Sequence, residues 1–210
     1  MSFKDKFSAN PELAFDQFST LPKSLVPASV KFMKFSGRYV KFDDTTGKKH
    51  FDWKEFKAAI DRYQALDLAS FLLRSTVISQ PDTTVSVMAK NIAAFLDDTL
   101  RAGVDRHKLE MTIEGTFTHL KEKKGKGVAD FYPSIKEKSR RSSWECRLCF
   151  ALPNEYLRNY FCCMVTTIKL EANIEDEESW ILRGSTTKNF SAIVDSLKVY
   201  VSKDFKGRYI

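Results

Sequence analysis

Three stretches in the C-terminal third of the chain carry the spacing of hydrophobic residues that is typical of β-strands. From Trp144 to Leu152, apolar residues alternate with residues that are charged or small, which makes one face of a strand apolar. From Tyr160 to Leu170 they are nearly continuous, and a strand tolerates that only when both of its faces are covered. The third stretch, Trp180 to Val201, breaks at Gly184 and changes phase near 195–196, as a bulge would produce. The pattern therefore predicts a sheet between two other layers.

Upstream, hydrophobic residues recur at the three- and four-residue spacing of helices. Asp52 opens a D-x-x-E capping box, and the helix that follows is predicted to continue, with a break, to Leu73. A helical hairpin is predicted from Val85 to Leu120. Gly103 is the expected stop of its first helix and Asp105 the expected cap of its second.

The rest of the chain is predicted to surround these elements. Met1 to Pro27 contains several prolines and is interpreted as a loose N-terminal arm with one helical turn at Pro11 to Phe15. Val30 to Phe42 is rich in β-forming residues and is interpreted as a bent strand or hairpin, and Val128 to Tyr132 as a further strand. We expect residues 28–210 to form a single α+β domain.

Composition and charge narrow the functional classes. Hydrophobic residues make up 43% of the 210 residues and charged residues 29%, which is typical of a folded globular chain rather than a disordered one. The net charge of +7 favours an anionic partner, such as phospholipid head groups, charged glycans or nucleic acid. The chain carries no RNP-type motif, zinc-finger spacing or helix-turn-helix signature, so nucleic acid is the least favoured of these.

The N-terminal sequence gives an expectation about location. The first 21 residues contain five charged side chains and no continuous apolar core, unlike a secretory signal peptide. We therefore expect the protein to be produced in the cytoplasm without a signal peptide, and to act at target membranes if it is released. The sequence also has no uncharged apolar run of about 18 residues, the length a membrane-spanning helix needs.

Basic residues form clusters at 31–49, 121–126, 136–141 and 203–208. Each cluster alone is most simply a solvated surface, but together they favour binding to an anionic surface. The candidates for that contact are Lys121, Lys123, Lys124, Lys126, Lys138, Arg140 and Arg141.

Metal binding and catalysis are not indicated by the sequence. The cysteines form the pairs Cys146-x-x-Cys149 and Cys162-Cys163, and on strands the two members of each pair point to opposite faces. We therefore predict buried, reduced thiols and no metal site. The three histidines are scattered and no catalytic motif is present, so we expect neither an enzyme nor a cofactor, with a small enzyme of dispersed site as a remaining alternative.

Four short motifs follow one another in a recognisable order. They are Val85–Met88 at the start of a helix, Thr116–Leu120 at the end of the next, Leu148–Asn154 at the end of a strand, and Ile193–Val199 near the C-terminus. In their order and spacing, the chain resembles the Cyt family of cytolytic δ-endotoxins and the related volvatoxin-like pore-forming proteins.

That resemblance carries expectations about fold and activity. It implies a single three-layer α/β (α+β) domain in which helical hairpins cover both faces of an antiparallel β-sheet. It also implies phospholipid binding without a protein receptor, followed by oligomeric pores or detergent-like disruption, with self-oligomerisation on the membrane as a possible step.

The hypothesis for the mechanism is strand insertion after the helical hairpin from Val85 to Leu120 moves away. Strands of about nine to eleven residues can cross a bilayer, and a detachable cover would hide that capacity in water. The candidates for membrane insertion are Trp144, Leu148, Phe150, Phe161, Met164, Val165, Ile168, Trp180 and Leu182. The alternative is a non-lytic module of the same fold that binds a lipid tail or an anionic partner.

Overall fold

A computed structural model describes residues 14–63, 66–101, 105–133 and 140–207. The helices in these residues are α1 Val26–Gly37, α2 Trp53–Arg62, α3 Val85–Leu100, α4 Arg106–Thr118 and α5 Leu120–Gly125. The strands are β1 Asp16–Ser19, β2 Val40–Asp43, β3 Lys48–Phe51, β4 Leu68–Thr84, β5 Ala129–Tyr132, β6 Ser142–Pro153, β7 Tyr160–Ala172 and β8 Thr187–Ser202. Among the described residues, no helix is both long enough and apolar enough to cross a membrane.

The three C-terminal strands form the centre of the main sheet. Its strand order is β1-β6-β7-β8-β4, and β5 also pairs with β6. Asp16 of β1 lies beside Leu148 in a parallel pair, whereas Ala129 of β5 lies opposite Cys146 in an antiparallel pair. β2 and β3 form a separate antiparallel hairpin whose turn contains Gly47 at a φ of 68°. The predicted α+β class is confirmed, and the pair of β1 with β6 is parallel where the resemblance implied an antiparallel sheet.

Contacts divide the chain into two compact units. The first comprises Met1–Phe71, Arg147–Val165 and Lys198–Ile210, and the second comprises Leu72–Cys146 and Thr166–Leu197. Strands β4, β6, β7 and β8 each contribute residues to both units.

The first unit contains α1, α2 and a cluster of aromatic side chains. The ring of Phe35 lies 5.8–6.3 Å from those of Phe56, Tyr63 and Phe205. All four rings are buried, and such edge-to-face and tilted packing adds stability to the burial of their area. The same unit buries Arg147 completely, and its Nε donates to the carbonyl of Ala14 at 3.1 Å. This hydrogen bond connects β6 to the segment that precedes β1.

The second unit contains the helical hairpin of α3 and α4, which pack against each other, together with α5 and β5. As predicted, Asp105 caps α4, because its Oδ1 accepts from the N–H of Lys108 at 3.2 Å. Four hydrophobic residues with helical spacing are buried on one side of α4 and at the start of α5, and they are Leu109, Ile113, Phe117 and Leu120. Gly103, the expected stop of the first helix, lies outside the described residues.

One predicted strand is a helix. Val30 to Phe42 was expected to be a bent strand or hairpin, but most of it belongs to α1, and only its end belongs to β2. The prediction relied on the β-forming residues of this segment. Ala28, Phe32 and Phe35, however, have the spacing that buries one face of a helix. Pro27 in the first turn fits the same start, since proline is tolerated there.

Two other expected elements are also different. The helix capped by Asp52 begins as predicted but ends at Arg62, and β4 begins at Leu68, where the helix was expected to continue. The residues from Trp180 to Arg183 form no strand and belong to the connection between β7 and β8. At β4, the pairing partner β8 lies far away in sequence, so local spacing did not indicate a strand. At Trp180–Arg183, an apolar run of four residues was too short to distinguish a strand from a connection.

The N-terminal segment contains a strand that the sequence analysis did not predict. β1 lies within the expected arm and pairs with β6, where Phe18 stacks on Phe150 with ring centroids 5.5 Å apart. Ala14 and Phe15 form a bend and not a helical turn, while residues 11–13 lie outside the described part of the chain.

Candidate functional site

The nine candidates for membrane insertion are all buried. Seven of them lie on β6 and β7, and Trp180 and Leu182 lie in the connection between β7 and β8. On β7, all eight residues from Phe161 to Ile168 are buried. Because successive residues of a strand point to opposite faces, both faces of β7 are covered along this segment.

A pair of thiols lies on these strands in the first unit. The Sγ atoms of Cys149 and Cys163 are 3.5 Å apart and share a hydrogen bond. Burial raises the pKa of Cys163 well above its usual range, and the hydrogen bond with Cys149 acts in the same direction. Burial also raises the pKa of Cys162 to about 11, against a smaller opposing effect of Lys198. The thiols of Cys162 and Cys163 are therefore neutral at pH 7 and pack as small apolar groups.

One polar contact lies in the sheet core of the second unit. The hydroxyls of Thr166 on β7 and Ser196 on β8 are 2.7 Å apart, and both side chains are fully buried. The predicted phase change of β8 occurs here, since Ser196 and Leu197 are both buried although they are neighbours. The pair satisfies two polar groups in the core, where each would otherwise be costly.

The connection between β7 and β8, residues 173–186, forms what we call the clasp. Its Gly184 carbonyl accepts from the N–H of Ser86 at 3.1 Å and from the Ser86 hydroxyl at 3.0 Å. The carbonyl of Thr186 accepts from the N–H of Val85 at 3.1 Å. The clasp therefore binds the first turn of α3, where backbone N–H groups have no partners within the helix.

Gly184 allows a very close approach between the clasp and the helical hairpin. A Cβ atom at this position would lie 2.4 Å from Oε1 of Glu114 on α4 and 2.7 Å from Oγ of Ser86 on α3. Both distances are shorter than van der Waals contact, so any larger residue would displace these side chains. Both atoms are the ends of side chains that can rotate, so a Cβ here would push them aside without meeting the backbone of either helix.

Ion pairs connect the acidic part of the clasp to α5. Lys124 Nζ lies 2.6 Å from Oε1 of Glu177, and Lys121 Nζ lies 2.9 Å from Oε2 of Glu178. The side chain of Glu177 is 27% exposed, whereas that of Glu178 is 90% exposed. Because exposed pairs are screened by water, we expect the pair of Lys124 with Glu177 to contribute more.

Ion pairs with acidic residues occupy part of the predicted basic surface. The acidic segment 175–178 forms ion pairs with Lys121, Lys124 and also Arg140, which lies 3.4 Å from Glu175. Lys126 and Arg141 are exposed, and Lys138 lies outside the described residues. The spacing of charges along the sequence did not indicate this pairing, because the partners lie more than 30 residues apart.

Inside the clasp, one turn is fixed by a carboxylate. Asp176 accepts from the N–H of Ser179 at 2.8 Å and from its hydroxyl at 2.9 Å. The backbone hydrogen bond from Ser179 is the largest cause that lowers the pKa of Asp176, followed by the hydroxyl. The turn leads directly to Trp180, whose indole lies in the core.

Arg141 borders a polar pocket in the second unit. The pocket has an empty volume of about 450 Å³ and is lined by Ser79, Gln80, Pro81, Arg141, Glu171, Asn189, Phe190 and Ser191. Since the carboxylate of Glu171 also lines it, the pocket is not uniformly cationic. Among the described residues, no group of three metal-ligating side chains comes together.

Comparison with known proteins finds similarity in structure and not in sequence. No protein-family profile and no curated protein sequence matches the chain. A solved δ-endotoxin structure superposes with a TM-score of 0.74 at 13% identity, over 96% of this chain and 88% of the other. The activated Cyt2Ba monomer from Bacillus thuringiensis subsp. israelensis gives 0.72 at 12% identity, over 91% and 99%. The chain therefore has the Cyt toxin fold, as the sequence resemblance predicted.

Proposed function

We propose that this protein is a membrane-active, cytolysin-like protein that binds phospholipid and inserts segments of β6, β7 and β8 after α3 and α4 move away. The observation that carries the proposal is the burial of all residues of Phe161–Ile168, a largely apolar strand segment with both faces covered, in a chain with the Cyt toxin fold. No catalytic role is part of the proposal.

Strand length is compatible with insertion. β6, β7 and β8 contain 12, 13 and 16 residues, and a tilted strand needs about 9–11 to cross the hydrocarbon core. Their backbone groups already pair with neighbouring strands in the sheet. This matters because unpaired backbone polar groups are not tolerated in lipid.

The clasp is the contact that would have to open. It binds α3 through hydrogen bonds to Val85 and Ser86 and binds α5 through ion pairs of Lys121 and Lys124 that are partly open to water. Each partly exposed ion pair contributes at most about 1 kcal/mol, so their loss at a membrane surface costs little. The net charge of +7 supplies a first attraction to anionic head groups, about 1 kcal/mol for each lysine or arginine near the surface.

Dye release from liposomes tests the proposal. Micromolar protein is added to anionic and to zwitterionic vesicles, and binding is measured in parallel by vesicle flotation. We expect both binding and leakage. Binding without leakage would support the non-lytic lipid-binding module in place of the cytolysin, and the absence of both would reject the membrane role.

A reversible lock of the clasp tests the mechanism. In the double variant Ser86→Cys and Gly184→Cys, the two new side chains lie close enough for a disulfide, since a Cβ at 184 lies 2.7 Å from Oγ of Ser86. We expect the oxidised variant to bind vesicles without releasing dye, and a reductant to restore release. The two single variants are the controls, and leakage by the oxidised double variant would contradict release of α3.

A further inference from the structure

The two most exposed large hydrophobic side chains that the structure describes lie in turns of the first unit. Leu66 and Tyr156 are each 91% exposed, and Leu157, the neighbour of Tyr156, is 51% exposed. Leu66 lies before the start of β4, and the other two lie between β6 and β7. Exposed apolar side chains indicate a binding surface when the segments that carry them lie together.

Hydrogen bonds join these two turns. The Tyr160 hydroxyl donates to the carbonyl of Leu66 at 3.0 Å, and the N–H of Tyr160 donates to the carbonyl of Leu157 at 2.9 Å. Within the turn between β6 and β7, Asn154 Oδ1 accepts from the N–H groups of Tyr156 and Leu157 at 2.9 and 3.1 Å. The exposed side chains are therefore held on fixed backbone.

The segment after β8 belongs to the same surface. The N–H of Lys203 donates to the carbonyl of Asn159 at 2.7 Å, and that of Lys206 donates to Asp67 Oδ2 at 3.1 Å. The three joined segments form a surface that we call the tip, and they are residues 66–67, 154–159 and 203–206. All three lie in the first unit.

The charges of the tip are mixed in sign. Its exposed charged residues are the cations Arg158, Lys203 and Lys206 and the carboxylates Glu155 and Asp204. Asp67 is half-buried, and its Oδ2 also accepts from the Tyr63 hydroxyl at 3.1 Å. A zwitterionic phospholipid presents a phosphate and an ammonium group, which complement both signs, whereas a uniformly anionic partner would repel the carboxylates.

The exposed side chains of the tip also have the chemistry of a membrane anchor. Tyrosine is enriched where lipid meets water, because its ring is apolar and its hydroxyl is polar. A side chain that is 91% exposed can enter a fluid bilayer without a matching pocket, whereas a protein partner has to supply a complementary surface. These properties favour a lipid surface as the partner.

We propose that the tip anchors the protein to zwitterionic phospholipid bilayers, with Leu66, Tyr156 and Leu157 in the interfacial layer and the charged neighbours among the head groups. This inference rests on the proposed function and names the surface that binds when the bilayer has no net charge. The tip contains the turn between β6 and β7, so it brings to the membrane the ends of the two strands that carry most of the insertion candidates.

Flotation with phosphatidylcholine vesicles, over a range of lipid concentrations, tests the anchor. Leu66→Gln and Tyr156→Gln each remove an apolar side chain that is almost fully exposed, so both variants should fold, which near-UV circular dichroism checks. We expect each to weaken binding about fivefold or more, and the double variant about 25-fold or more. Because burial of apolar area drives this binding, about 0.5 M salt should change the wild-type affinity by less than about twofold.

The matched control is Met111→Gln. Met111 is 59% exposed on α4, outside the tip, so the same loss of apolar area there should change binding by less than about twofold. Tyr156→Trp is the conservative variant, and it should bind at least as tightly as the wild type because tryptophan is also favoured at the interface. A loss of binding in Tyr156→Trp as large as in Tyr156→Gln would contradict an anchor of this kind.

The other outcomes separate the anchor from the membrane function. Wild-type binding that Leu66→Gln and Tyr156→Gln do not weaken would overturn the anchor alone. Binding to anionic vesicles but not to phosphatidylcholine would also overturn it, and no binding to either would reject the membrane function together with it. A dimer in lipid-free solution that Leu66→Gln abolishes, with vesicle binding unchanged, would assign the tip to a contact between copies of the chain.

Discussion

The indole Nε1 of Trp180 donates a 2.8 Å hydrogen bond to the hydroxyl of Ser142. Ser142 in turn donates to the carbonyl of Ile174, so a chain of two buried hydrogen bonds joins β6 to two positions of the clasp. The indole N–H of Trp144 is buried as well, but it has no hydrogen-bond partner among the described residues. Of these two buried tryptophans, Trp180 therefore has a hydrogen-bond acceptor for its indole N–H, and Trp144 has none among the described residues.

This difference predicts unequal effects of the same substitution. Trp180→Phe and Trp144→Phe both remove ring volume from the core, but only the first breaks a hydrogen bond. We expect Trp180→Phe to lower the free energy of unfolding by about 1 kcal/mol more than Trp144→Phe, which relieves an unsatisfied donor. Chemical denaturation of both variants measures this difference. Equal losses would show that the bond to Ser142 contributes nothing net.

A pair of glycine-to-alanine substitutions tests the crowding at the clasp. Gly184→Ala places a Cβ 2.4 Å from the Glu114 carboxylate, which must rotate aside, so we expect a loss of about 0.5–1.5 kcal/mol in unfolding free energy. Gly115→Ala is the matched control, because nothing lies within 4 Å of its Cβ and it is inside α4. Alanine there should stabilise the helix by about 0.5–1 kcal/mol. A neutral Gly184→Ala would mean that the helices yield at this contact without cost.

The core of the fold could be predicted from the sequence because its signals are local. The alternation in β6, the continuous apolar run of β7 and the caps at Asp52 and Asp105 each indicate an element from a few neighbouring residues. The order of these elements was enough for the resemblance that the structural comparison supports. At these positions, the structure that the neighbouring residues favour is also the structure that the whole fold requires.

The errors occurred where the partner of a segment lies far away in sequence. Leu68 to Leu73 is as apolar as a buried helix, and only its pairing with β8, more than 100 residues later, makes it a strand. The same holds for the clasp, whose Glu177 and Glu178 meet lysines 53 and 57 residues earlier. The sequence contains these charges but not the distances between them, so it does not indicate that they form ion pairs.

The ion pairs of the clasp predict a graded effect on leakage. Glu177→Gln removes the better-buried pair, and we expect dye release from zwitterionic vesicles to become about two- to fivefold faster, which corresponds to less than about 1 kcal/mol. Glu178→Gln is the control, because its carboxylate is 90% exposed and its loss should change the rate by less than about twofold. Equal effects of the two variants would contradict the assignment of the clasp contact to Glu177.

The raised pKa of Cys162 predicts a loss of stability in alkali. Its pKa is about 11 in the folded protein and 9.0 without burial, so its thiol in the unfolded chain ionises first as the pH rises. Its stabilising effect is complete below pH 9.0 and is lost as the pH approaches about 11, by about 2–3 kcal/mol at most. Denaturation of wild type and Cys162→Ala between pH 7 and 11 measures the effect. The variant should be less stable at pH 7 but should fall less steeply, and parallel curves would show that Cys162 does not contribute.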